Sequence, residues 1–255
     1  FLEIPFLKSF LASIRAGRFI FVFRDKDNDL IYRWNFGAAV TCNPLYSPKN
    51  DLIDLKCFLY NYNPKQSDIV LIVGVADGYE VPFFCNNTKT VICIEPTPNC
   101  IRRLNKLKKI LSLKNLIIIQ SAVGKEISKL NLLVNKNNEI NNRISYKENE
   151  SDTITVEVKT LTRILKDIDI LNIDYCKINI EGEEKNALLG LDLDQVNIRK
   201  FCISSHDFMG PSTRTYDWIN NWLLQNKYSV MQYPESLENF YMNYYLFGEL
   251  KSYKE

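Results

Sequence analysis

The chain has 255 residues, with 32 Lys and Arg against 30 Asp and Glu, a formal net charge of +2 and 24% charged residues. That length suits one sizeable α/β domain with an appendage, and the near-neutral balance gives no electrostatic footprint for nucleic acid or an anionic membrane. The expected partner is therefore a small molecule or a glycan.

Seven cysteines, odd in number and without a Cys-x-x-Cys pair, fall partly inside apolar runs. They read as small buried hydrophobes in a reducing, cytoplasmic setting. No apolar run approaches the roughly 18 residues of a membrane span. The first residue is Phe1 and not Met, so an upstream targeting segment is compatible with the sequence.

In chain order, residues 2–16 suggest an amphipathic helix stopped by Gly17. Aromatic runs at 19–23 and 30–34 flank Asp25-Lys26-Asp27-Asn28-Asp29, a hairpin signal. That acidic turn lacks the glycine and the downstream glutamate of a calcium loop, so it reads as solvated. Asn50 is placed to cap a helix through Tyr62, with Ile53, Cys57, Phe58 and Tyr60 among its apolar positions and Pro64 closing it. Residues 1–65 are expected to form a cap over a main domain at 66–255.

The run Ile69-Val70-Leu71-Ile72-Val73 has no polar alternation, as in a strand buried on both faces of a parallel sheet. A glycine turn follows, Gly74-Val75-Ala76-Asp77-Gly78, and then a second run, Val91-Ile92-Cys93-Ile94, that ends at Glu95-Pro96. Glycine and alanine leave room for a ligand against the main chain. Glu95, about 20 residues beyond the first glycine, stands where a carboxylate accepts ribose hydroxyls. The turn lacks the third-glycine spacing of a pyrophosphate binder, which favours S-adenosylmethionine over NAD and argues against a dehydrogenase.

Thr97 and Pro98 open a helix with an apolar stripe at Ile101, Leu104, Leu107 and Leu111, and Arg102, Arg103, Lys106, Lys108 and Lys109 are expected on its outer, solvated face. A strand at 116–120 delivers Ser121 and Ala122 to the carboxyl edge, where they are placed to line an adenine slot. A short strand at 130–134 precedes a polar segment at 135–153, read as a solvated loop or a lid. A strand at 154–158 leads to a helix from Thr160 to Ile168.

The second informative stretch is Lys177-Ile178-Asn179-Ile180-Glu181-Gly182-Glu183-Glu184. Alternation puts Lys177, Asn179 and Glu181 on one side of a strand near its carboxyl end, facing either a ligand cleft or a structural ion pair. A helix at 183–189 stops at Gly190. A strand at 201–205 brings His206, the one histidine of the chain, and Asp207 to the same edge. Ser212 is placed to cap a helix through Asn226, and strands at 228–233 and 241–248 close the sheet. His206 is a candidate base, oriented by Asp207 or Glu181, with Lys177 and Asn179 positioning an acceptor. Two carboxylates, Glu181 and Asp207, lack a third ligand for a metal site.

On the segments Ile94-Glu95-Pro96-Thr97-Pro98 and 177–184, with Leu188-Leu189-Gly190 after the latter, the chain resembles the FkbM-type S-adenosylmethionine-dependent methyltransferases. The resemblance implies an α/β Rossmann-like methyltransferase sheet, mostly parallel with an antiparallel C-terminal strand pair, helices on both faces and a small N-terminal cap. It implies that residues 74–78 cradle the methionine part of the cofactor, Glu95 and Pro96 hold the ribose side, and Ser121 to Val123 lie near the adenine. It implies O-methylation of a sugar or natural product. The family usually carries an acid where this chain has Ile72, Asp where it has Asn179, and often Asp where it has Thr162. Either those roles move, for instance to Asp77 and Glu181, or the chain is a non-catalytic binding protein on the same fold.

Overall fold

The computed structural model describes residues 20–25, 30–35, 38–42, 54–76, 78–133, 143–145, 153–235 and 239–251. The helix expected at 2–16, residues 26–29 of the acidic turn, Asp77 and most of the 135–153 segment lie outside them. The expected hairpin forms: β1 (Ile20–Asp25) and β2 (Leu30–Asn35) pair antiparallel, and β3 (Ala38–Cys42), not expected from the sequence, adds a third strand. Residues 54–58 are helical and pass into turns at 59–61, so the helix expected to run to Tyr62 ends at Phe58, while its expected start from Asn50 to Ile53 lies outside the described residues. Leu55, Cys57, Phe58 and Tyr62 are buried in the main core, whereas Tyr60 is 45% exposed with its ring against Tyr233 and Phe247.

The next strands, β4 (Ile69–Val73), β5 (Thr90–Glu95) and β6 (Leu116–Gln120), pair in parallel, joined by α1 (Val81–Asn87) and α2 (Pro98–Ile110). Val70, Ile72, Val91 and Cys93 enter one core, while Leu71, Val73, Ile92 and Ile94 enter the other. Each of these side chains is at most 1% exposed. With both faces of the sheet covered, side-chain alternation has no polar side to show, which is why the sequence reads as an unbroken apolar run.

In α2, Arg103 is buried, its guanidinium 3.1 Å from Cys100 Sγ, and not on the outer basic face expected for it. Positions 100, 103, 104 and 107 share one helical stripe, so Arg103 goes inward with Cys100, Leu104 and Leu107.

A second, four-stranded sheet follows from β7 (Ala122–Val123), β8 (Ser128–Leu133), β9 (Arg143–Ser145) and β10 (Thr153–Lys159), in the order β7-β10-β8-β9. The strands expected at 130–134 and 154–158 thus pair with each other. Thr160 caps α3 (Leu161–Asp167) as expected, its hydroxyl accepting from Arg163 N at 3.1 Å.

The chain then runs through β11 (Asn172–Ile173), β12 (Tyr175–Ile178), α4 (Glu184–Leu189), β13 (Asn197–Ile198), β14 (Lys200–Ser204), α5 (Tyr216–Gln225), β15 (Tyr228–Gln232) and β16 (Tyr245–Leu250). The main sheet has seven strands in the order β15-β16-β14-β12-β4-β5-β6, all parallel except β16, which is antiparallel to both neighbours. This is the mixed α/β, mostly parallel Rossmann-like sheet with antiparallel closing strands that the sequence predicts. Side chains of α1 and α2 fill one core, and those of α3, α4 and α5 fill the other, so helices cover both faces. Among the described residues no helix is long and apolar enough to cross a membrane, and Cys57, Cys85, Cys93, Cys100, Cys176 and Cys202 are buried and free.

Candidate active site

Strand β4 lies between β5 and β12, so connections leave it in both directions and the loops after β4 and β12 meet at the topological switch point, where open parallel sheets bind ligands. Gly74 (φ 79°), Ala76 (φ 47°) and Gly78 (φ 68°) are all left-handed in the first of these loops, a conformation that glycine tolerates best. The space beside the glycines is taken by the protein itself. A Cβ on Gly74 would lie 2.0 Å from the backbone oxygen of Asn179, and one on Gly78 would lie 2.5 Å from Leu104 Cδ2. This corrects the expectation of bare main chain at the two glycines. They let the loop after β12 and helix α2 close on the turn.

Glu95, at the end of β5, reaches that turn. Its Oε2 accepts from Val75 N at 3.3 Å and Ala76 N at 3.1 Å, and its Oε1 accepts from Thr97 N at 2.9 Å. The side chain is 6% exposed. Burial pushes its carboxyl above the usual range, opposed by the hydrogen bonds from Thr97, Ala76 and Val75. Pro96 is half-buried beside it. Ser121 and Ala122 are buried after β6, with the Ser121 hydroxyl donating to Ala122 O at 2.7 Å and Ala122 pairing with β10.

Beyond β12, the expected alternation of Lys177, Asn179 and Glu181 does not hold. The strand ends at Ile178, and Glu181 (φ 57°) and Gly182 (φ 104°) turn left-handed. Lys177 points into the core, where its Nζ lies 2.6 Å from Glu80 Oε1 and 4.2 Å from the centre of the Phe58 ring. Both charged groups are buried, at 3% and 0% side-chain exposure. Lys177 therefore forms the structural ion pair that the sequence left open, and it does not face the cleft. Asn179 donates its backbone N–H to Val73 O at 3.0 Å, while its Oδ1 is buried with no hydrogen-bond partner.

His206 (φ 52°) follows β14 and is 3% exposed. Its Nδ1 lies 2.8 Å from Glu184 Oε1 and its Nε2 lies 3.5 Å from Glu181 Oε1. Burial alone would push the imidazole down, but the two carboxylates outweigh it and hold the group up at about 10. Asp207 does not orient this ring. Its Oδ1 accepts from Thr215 N at 2.8 Å and Tyr216 N at 3.0 Å, capping α5 in place of the expected Ser212. Asp207→Ala is accordingly expected to lower the unfolding free energy by about 1 kcal/mol, the usual worth of a helix cap, as read by urea denaturation.

The structure thus brings Glu95 to the glycine turn and joins Glu181 to His206, and it removes Lys177 and Asp207 from the cleft. Sequence reasoning misses Glu80 and Glu184. Glu184 has a legible signal, an acid in the first turn of α4, where its Oε1 accepts from Ile180 N at 2.8 Å. Glu80 has none, because only the fold sets it opposite Lys177. Among the described residues no group of three or more His, Cys, Asp or Glu is arranged to hold a metal ion.

The sequence profile of the methyltransferase FkbM domain matches residues 73–230. Methyltransferase FkbM from Methylobacillus flagellatus KT superposes with a TM-score of 0.51 at 16% identity, over 73% of this chain and 44% of that one. The chain thus spans less than half of that protein. M. capricolum TrmK in complex with S-adenosyl-homocysteine gives 0.47 at 16% identity over 82% and 70% of the two chains. A SAM-dependent methyltransferase from Aquifex aeolicus gives 0.45 at 16% identity over 80% and 92%. No curated protein matches the sequence.

Proposed function

The chain belongs to the FkbM methyltransferase family, and from that premise we propose that it uses S-adenosylmethionine to methylate a hydroxyl of a sugar or natural product. The observation that carries this reading is the hold of Glu95 on the glycine turn at the switch point. The donors and acceptors there fit the cofactor. Glu95 accepts three N–H groups and the Thr97 hydroxyl, which matches the roughly four lone-pair sites of a carboxylate, so a ribose hydroxyl would take the place of the Thr97 hydroxyl there. Asn179 Oδ1 is a buried acceptor without a partner on the loop that closes over Gly74.

When bound, S-adenosylmethionine supplies an electrophilic methyl group on its sulfonium. The chain's part is positioning, since an in-line displacement needs the acceptor oxygen held behind the methyl carbon. Glu95 would hold the ribose, the turn at Val75 and Ala76 the methionine part, and Ser121 and Ala122 the adenine side. Asn179, Glu181 and His206 form the edge to which the acceptor comes. The buried aliphatic Ile72 offers no carboxylate to the turn, and this favours Asn179 as the acceptor for the cofactor's ammonium group.

Calorimetric titration with S-adenosylmethionine tests the reading. Wild type is expected to bind, and Glu95→Ala to bind roughly 10- to 100-fold more weakly, as charge-assisted hydrogen bonds to the ribose are lost. Failure of the wild type to bind at millimolar concentration would favour the second reading, a non-catalytic protein on the same fold, which Ile72 and Asn179 motivate.

A further inference from the structure

Resting on the hydroxyl-methylation reading, we infer that Glu181 receives the acceptor's proton and that His206 is a positioning residue bridging Glu181 to Glu184. A histidine acts as a base through an unprotonated ring nitrogen, and each nitrogen of His206 faces a carboxylate, Nδ1 to Glu184 and Nε2 to Glu181. Nδ1 is buried against Glu184 without an aligned hydrogen bond, and Nε2 is directed at Glu181, so neither nitrogen is presented to a substrate.

The three side chains also differ in access. Glu184 has no exposed surface and His206 has 4%, whereas the side chain of Glu181 is 18% exposed at the carboxyl edge of the sheet. Glu181 alone among them can meet a substrate that enters from solvent.

The backbone fixes this order. Glu181 and Gly182 are left-handed after β12, and His206 is left-handed after β14. A non-glycine residue holds such a conformation when its surroundings enforce it. Thr213 supplies part of that enforcement: its hydroxyl donates to His206 O at 2.8 Å, and its Cγ2 lies 2.8 Å from where a Cβ on Gly182 would stand. At the far end, Glu184 Oε1 also accepts from Ile180 N. A line of opposed charges runs from the Ile180 amide through Glu184 and the ring of His206 to Glu181, so the Glu181 carboxylate is held from behind by an ion pair.

The step balances without another reactant. The acceptor oxygen bonds to the methyl carbon as the carbon–sulfur bond breaks, and that electron pair stays on sulfur. The hydroxyl proton passes to the Glu181 carboxylate, which later returns it to water.

Two measurements test the inference separately from the reading beneath it. Because the chain has one histidine, nitrogen-15 NMR of the ring reports His206 without assignment, and both nitrogens are expected to be protonated at pH 7.5. A neutral tautomer at that pH overturns the inference whatever the activity. The second is methyl transfer from tritiated S-adenosylmethionine to a mixture of methyl glycosides. Glu181→Gln is expected to lower kcat at least 100-fold with cofactor affinity kept, and His206→Gln to lower it less than about 10-fold while moving the pH profile. The reverse order overturns the inference. A wild-type protein that binds the cofactor and methylates no glycoside counts against the proposed acceptor class, and the NMR result still decides the state of His206.

Discussion

Lys177→Met is expected to destabilise the protein by about 3–5 kcal/mol, the cost of leaving a buried charge without its partner. Glu80 has no exposed surface and holds Lys177 Nζ at 2.6 Å, and its second oxygen already lacks a hydrogen-bond partner. Removing the ammonium leaves that carboxylate to be buried charged, protonated or pulled into water by local opening. A typical domain is stable by about 5–15 kcal/mol, so the variant should approach its unfolding threshold near body temperature. The double variant Lys177→Met/Glu80→Gln removes both charges and should recover most of the loss. Urea denaturation of the wild type, both single variants and the double variant gives the coupling. Additive losses would show that the pair is not the unit that the geometry describes.

The second large effect is a pH dependence. His206 is held up at about 10 in the folded protein against an ordinary 6.5. A cationic group raised in this way contributes its full stabilisation below about pH 6.5 and loses it as the pH rises toward 10. At about 1.4 kcal/mol per unit, the gap amounts to on the order of 5 kcal/mol, and His206 is buried enough that solvent screening takes little from it. The stability difference between wild type and His206→Gln, measured by urea unfolding at intervals from pH 6 to 10, is expected to shrink across that window. The groups that face the ring are Glu181 and Glu184, so Glu184→Gln should narrow the window by lowering its upper end. A difference that stays constant from pH 6 to 10 would mean that the imidazole does not carry the proton.

Together these effects describe an edge with two buried charge systems beneath it. Lys177 and Glu80 lie on the face toward Phe58, and His206, Glu181 and Glu184 lie at the loops after β12 and β14. Each restrains a segment that borders the switch point. The first holds the residues just after the glycine turn to β12, and the second holds the loop after β12 to the loop after β14.

Much of the fold is legible in sequence because it rests on patterns of period and spacing. The doubly buried runs at 69–73 and 91–94, the proline start of α2, the Thr160 cap and the stop at Gly190 each follow from local chemistry. The site is legible only where it is local too, as with Glu95 at a strand tip facing the glycine turn. The errors fall where one local signal had two outcomes. Asp207 next to His206 in sequence reads as its partner, but two free amides at the start of α5 claim its oxygen. Arg103 reads as solvated with its basic neighbours, although its helical angle places it with Cys100, Leu104 and Leu107.

Sequence by itself determined the sheet, its buried strands, the family and the meeting of Glu95 with the turn, because strand period and turn chemistry act over a few residues. Tertiary structure alone decided which charges meet: Glu80 with Lys177, 97 positions apart, and Glu184 with His206 across two strand ends. Burial makes such pairings obligatory, since a charge removed from water must find its opposite wherever the fold brings one near.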